Sequence, residues 1–168
     1  MPYVIEESHL AHDPAGKIIA YATKSDVQHS AVVTLDEDGK KRWRYEALVG
    51  EGYVKKPWSQ RVDVVERKVW ATPERYEMAT WWADRSVGTK YPPIAYLGLE
   101  YVIPGLRHYR RTLYCSQAAL KWLELLGYYD LDESLIRPSP GACDAAWLAA
   151  EKACETLAKR DVNGRIVG

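Results

Sequence analysis

The sequence predicts an α+β fold, an antiparallel sheet packed against helices, and three observations lead there. Short runs rich in β-branched residues, separated by turn signals, fill the first half of the chain. Capped helical runs with apolar periodicity fill the second half. The 168 residues suffice for one domain with a real core. Strands grouped before helices, rather than alternating with them, separate α+β from a parallel α/β sheet. No internal repeat or second domain is visible, so residues 1–168 read as a single domain.

In chain order, residues 1–16 are mixed in pattern and close on Asp13-Pro14-Ala15-Gly16, a turn signal. Lys17 to Ala22 is short and apolar enough for a strand. Gln28 to Leu35 carries the β-branched content of a buried strand. The Asp38-Gly39 pair then marks a hairpin turn, and Arg42 to Val49 reads as the antiparallel partner strand. Gly50 and Gly52 interrupt, Tyr53-Val54 resumes, and Lys56-Pro57 closes the run. Arg61 to Val65 is a fourth strand candidate, extending toward Trp70.

Thr72-Pro73-Glu74 supplies a capping hydroxyl, a proline at the first helical position and an early acid, so a helix runs from there to about Ser86. Pro92, Pro93 and Pro104 punctuate residues 88–105, leaving room for a short helical piece around Ala95 to Tyr101. An apolar helical run opens at Cys115 and stops at Gly127. A polar loop over residues 128–139 leads to Ser139-Pro140, which caps a last helix to about Arg160. On it Cys143, Ala146, Trp147, Ala150, Cys154 and Leu157 share one face, which makes Cys143 and Cys154 core residues.

Composition removes several classes of function. The 23 basic and 23 acidic side chains cancel, and no strongly basic block stands out, which disfavours nucleic acid as the main partner; Arg107 to Arg111 is a local patch only. Three cysteines with no close pair argue against a disulfide scaffold and a zinc site, and nothing in the pattern asks for a cofactor or metal. The N-terminus lacks a basic start and an apolar run of signal-peptide length, and no stretch approaches the roughly 20 apolar residues of a membrane span. The expectation is a chain made in the cytoplasm, with delivery outside it by lysis or as part of a particle left open. The 12 Tyr and 7 Trp, with no Phe, give most of the large aromatic surface a polar handle that wants a partner.

The chemistry centres on Cys115. A thiol in the first turn of a helix meets the positive end of the helix dipole and unpaired backbone N–H groups, and both favour the thiolate. A cysteine nucleophile needs a base near the sulfur and a third group to orient that base. His29 opens an apolar strand, where its side chain can face the end of a packed helix. His9 and His12 lie in a weakly patterned segment, and His108 stands among arginines. A turn at Asp38-Gly39 sets Glu46 roughly opposite His29 with both side chains on one face, where the carboxylate would hold the Nδ1 proton.

The order of these pieces carries a resemblance. A strand Gln28-His29-Ser30-Ala31-Val32-Val33 comes first, then Tyr45-Glu46-Ala47, then Val54-Lys-Lys-Pro57, then Gly88-Thr-Lys-Tyr91. Much later Tyr114-Cys115-Ser116-Gln117 opens a helix, and Pro138 to Trp147 follows. From about Ile18 to Trp147 the chain resembles the permuted papain-like cysteine hydrolases of the YiiX and lecithin retinol acyltransferase type, relatives of the NlpC-type cell-wall peptidases. In the permuted group the histidine precedes the cysteine.

The resemblance implies Cys115 as nucleophile, His29 as base and then acid, and Glu46 as orienter. It places the Cys115 N–H and the Tyr91 hydroxyl at the oxyanion, with Gln117 beside the substrate. The implied reaction is cleavage of an amide bond in a peptide or peptidoglycan-derived substrate through an acyl-enzyme. Two other readings stay open. One is acyl hydrolysis or transfer on a lipid, for which the chain offers no amphipathic anchor. The other is a catalytically idle binding or structural component of a phage or secreted assembly, which the abundance of Tyr and Trp suits.

Overall fold

The computed structural model describes residues 2–11, 17, 21, 26–36, 38–92, 112–129 and 139–158. Within them, strands β1 (Tyr3–Leu10), β2 (Val27–Leu35), β3 (Lys41–Leu48), β4 (Gly52–Pro57) and β5 (Val64–Trp70) form one five-stranded sheet in the order β4-β3-β2-β1-β5. Every pairing is antiparallel. Helices α1 (Pro73–Ser86), α2 (Cys115–Leu125) and α3 (Pro140–Ala158) complete the α+β fold.

The strand that the sequence hides is β1. Six consecutive residues, Val4 to His9, are buried, so both faces of this strand are covered and no polar-apolar alternation marks it. Alternation of side chains then divides it. Val4, Glu6 and Ser8 face the helices, where the Ser8 hydroxyl donates to Asp144 Oδ1 of α3 at 3.2 Å. Ile5, Glu7 and His9 face the opposite side, where Trp58 Nε1 donates to Glu7 Oε1 at 2.9 Å. Buried polar side chains, several of them partnered far away in sequence, are what made this stretch look irregular.

The strand expected over Lys17 to Ala22 is not seen. Its two described residues, Lys17 and Tyr21, are helical and exposed. They stand four apart and so share a helical face, and a short apolar run fits either element on periodicity alone. The piece expected at Ala95 to Tyr101, the Arg107 to Arg111 patch, His12, His108 and most of the 128–139 loop lie outside the described residues.

The remaining elements follow their signals. Thr72 Oγ1 accepts from the Arg75 N–H at 3.4 Å, with Pro73 at the start of α1. Helix α2 ends in paired capping bonds, from the Gly127 N–H to the Glu124 carbonyl at 2.8 Å and from the Tyr128 N–H to the Leu123 carbonyl at 3.1 Å. Gly127 has φ +87, and a Cβ there would fall 2.1 Å from the Arg75 guanidinium. Ser139 Oγ accepts from the Ala142 N–H at 3.1 Å to cap α3. That helix buries Cys143, Trp147, Ala150 and Cys154 and packs Ala146 against the core, while the Leu157 side chain lies outside the described set.

The core lies between the helices and the face of the sheet carrying Val4, Val32, Tyr45, Ala47, Tyr53 and Val69. Its largest members use their polar handles internally. Trp122 Nε1 donates to the Tyr53 hydroxyl at 3.0 Å, and Trp147 Nε1 donates to the Ala119 carbonyl at 3.2 Å. These bonds fix α2 against β4 and α3 against α2, which sets where the first turn of α2 meets the end of the sheet.

Candidate active site

Cys115 is the first residue of α2, preceded by Tyr114 in extended conformation, and it is 5% exposed. The β2–β3 ladder ends at the pair Ala31 and Glu46, so the strands part just where Ser30 and His29 lie. Into that opening comes the sulfur, which accepts hydrogen bonds from the backbone N–H groups of Ser30 and Ser116 and is hydrogen-bonded to the His29 ring. A helix start and a strand end thus both turn orphan N–H groups toward one atom.

His29 is held from its other side. Its Nε2 lies 3.0 Å from Glu46 Oε2, which leaves Nδ1 for the sulfur. The sequence expectation of a carboxylate on Nδ1 is therefore corrected. The register is corrected as well, because Glu46 faces Ala31 rather than His29. The offset is two residues, an even number, so both side chains stay on one face and the glutamate reaches the imidazole diagonally.

Arg61 closes the line. Its Nη2 donates to Glu46 Oε1 at 2.8 Å, so each oxygen of this buried carboxylate has a charged partner. The arginine belongs to residues 58–63, which cross the sheet face opposite the helices between β4 and β5. Trp58 and Arg44 anchor that crossing through Glu7 Oε1 and the Ser59 carbonyl, both at 2.9 Å.

The electrostatics follow from this arrangement. Burial alone would push the Cys115 thiol up, but the positive His29 ring, its hydrogen bond and the two backbone N–H groups bring it below its ordinary value. Burial likewise opposes a charge on His29, yet the neighbouring sulfur and the bond to Glu46 raise its pKa to about 9. Glu46, despite burial, is drawn down to about 2 by His29, Arg61 and Arg44. These shifts all favour charge separation along the line, a thiolate beside an imidazolium beside a carboxylate. Cys143 shows the contrast, since burial and the nearby Glu6 drive its thiol well above the ordinary value.

Tyr91 follows Lys90, whose main chain bridges to Thr112 and whose carbonyl accepts from the Leu113 N–H at 2.9 Å, so it runs alongside the approach to Cys115. Its side chain is half-buried against the core. Gln117, also half-buried, is in the same first turn as Cys115. Two residues near the triad escaped the sequence reading. Arg61 passed for a strand residue, and His9 lies directly across the β1–β2 ladder from His29. Recognising β1 and applying a period of two would have found His9.

A second polar cluster lies under the sheet. The Ser8 hydroxyl donates to Glu6 Oε1 at 2.8 Å, and Ser30, Cys143, Asp144 and Arg67 surround the same carboxyl. Burial raises Glu6 to about 8, so it is mainly protonated at neutral pH. Among the described residues no group of three or more His, Cys, Asp or Glu is placed to hold a metal ion, and no helix is long and apolar enough to cross a membrane. No family model and no curated protein matches the chain.

Proposed function

We propose that this protein is a cysteine hydrolase of permuted papain-like arrangement, cleaving an amide bond through an acyl-enzyme on Cys115. The observation that carries the reading is the continuous hydrogen-bonded line from the Cys115 sulfur through the His29 ring to Glu46. The thiolate attacks the carbonyl carbon and forms the C–S bond as the carbonyl π electrons move to oxygen. The Cys115 backbone N–H, in the first turn of α2, faces the developing oxyanion; such a donor contributes about 3 kcal/mol to the transition state. The His29 Nδ1–H then protonates the leaving nitrogen as the C–N bond breaks, leaving a thioester and a neutral imidazole. Water, deprotonated by Nδ1, attacks the thioester and expels the thiolate, restoring the ion pair. Throughout, Glu46 holds Nε2–H and so keeps Nδ1 toward the sulfur.

The substrate class, peptides of cell-wall peptidoglycan, comes from the resemblance of His29, Glu46 and the Cys115 helix to their counterparts in that family. The test is turnover of a peptidoglycan peptide and, in parallel, of a lipid ester by wild type, Cys115→Ala and His29→Ala. The peptide should be cleaved by wild type only, with a mass increase on Cys115 equal to the acyl fragment. Activity surviving in either variant removes the mechanism, and cleavage of the ester alone moves the substrate to lipid.

A further inference from the structure

Acyl transfer uses Cys115, His29 and Glu46 and leaves His9 without a part. Yet His9 is the residue directly opposite His29 in the β1–β2 ladder, with ring centroids 5.2 Å apart and planes tilted by 54°. That separation is within the distance at which a cation is attracted to an aromatic ring. The register of β1 on β2 shifts immediately beyond His9, a local irregularity of the kind that re-aims a side chain. We propose that His9 is a positioning residue, a ring set against the His29 ring that holds it between the sulfur and Glu46. This rests on reading Cys115 and His29 as a thiolate–imidazolium pair.

Two further observations support the role. His9 is 8% exposed, and its Nε2 is buried without a hydrogen-bond partner among the described residues. A residue needed only to fill space there would be better apolar, because a buried polar atom lacking a partner costs stability. The groups around it also keep it neutral. Burial opposes a proton on His9, as do the charged His29 of β2, Arg61 of the 58–63 crossing and Arg44 of β3; Glu46 of β3 alone favours one. Cys115 of α2 stands beyond His29 and completes the set of charges. A second cation at His9 would compete with His29 for Glu46, so neutrality is what the position requires.

The test is ring NMR of the histidines in the full chain, with the pH profile of Cys115 alkylation by iodoacetamide, for wild type, His9→Leu and His9→Phe. In wild type His9 should stay neutral from pH 5 to 8 while His29 stays charged. His9→Leu should lower the His29 pKa enough to weaken the ion pair roughly tenfold, whereas His9→Phe, which restores a ring, should stay close to wild type. Both variants should melt at or above the wild-type temperature, since the orphan nitrogen is gone. A wild-type His9 titrating in the ordinary histidine range overturns the proposal, as does an unchanged His29 pKa in His9→Leu. If wild-type Cys115 alkylates as a free thiol, the ion-pair reading fails and the proposal with it; a wild-type thiolate with an unaltered His9→Leu profile removes only the role of His9.

Discussion

Glu46 faces Ala31 in the β2–β3 ladder, yet its Oε2 lies 3.0 Å from His29 Nε2, one diagonal step along the same face. The carboxylate therefore meets the imidazole past the last rung of the ladder, where the strands part to admit the sulfur. Glu46→Gln keeps the size and removes the charge. The His29 pKa should fall from about 9, and turnover should fall roughly 10²-fold. Steady-state kinetics with His29 ring NMR check both. The same pair shapes acid and alkaline stability. The contribution of Glu46, depressed to about 2, is present above its ordinary 4.5 and lost as pH falls through 2. That of His29 is present below its ordinary 6.5 and lost as pH rises through 9.

Glu6 has the opposite sign for a carboxyl. Raised by burial from 4.5 to about 8, it binds a proton in the folded chain that the unfolded chain has released at neutral pH. Stability is present below 4.5 and declines as pH rises through 8. Glu6→Gln should match wild type at pH 4 and exceed it by roughly 4 kcal/mol at pH 8, read from urea unfolding at both values. A gain of equal size at both pH values would remove the titration of Glu6 as its cause.

The Trp122 indole and the Tyr53 hydroxyl are bonded to each other in the core, both fully buried. Tyr53→Phe leaves the indole N–H without that acceptor and should cost about 1–3 kcal/mol, measured by denaturant midpoint at unchanged m-value.

Gly52 has φ +85, and a Cβ there would lie 2.4 Å from the Thr89 carbonyl oxygen, which accepts from the Tyr53 N–H. Backbone cannot retreat as a flexible side chain can. Gly52→Ala should therefore destabilise by about 1–3 kcal/mol and displace the segment that carries Tyr91, slowing turnover as well as lowering the melting temperature. A melting temperature equal to wild type would contradict that account.

Much of this was legible in the chain, for local reasons. The capping groups Thr72 and Ser139, Gly127 and the Asp-Gly turn each act within a few residues, so β2, β3, α1, α2 and α3 follow from short windows. The face shared by His29 and Glu46 was legible because parity survives a two-residue error in register. What failed depended on distant partners. β1 buries Glu6, Glu7, Ser8 and His9 among groups from β3, α3 and the 58–63 crossing, and a strand covered on both faces leaves no alternation to read. Which imidazole nitrogen meets the carboxylate depends on where the ladder ends, which the turn alone does not fix.

The central claim is that Cys115 rests as a thiolate paired with His29, and the pH dependence of its alkylation tests it most directly. Wild type should react with a midpoint well below the roughly 8.5 of a free thiol, and His29→Ala should lose that depression. A wild-type midpoint near 8.5, unchanged in His29→Ala, would contradict it.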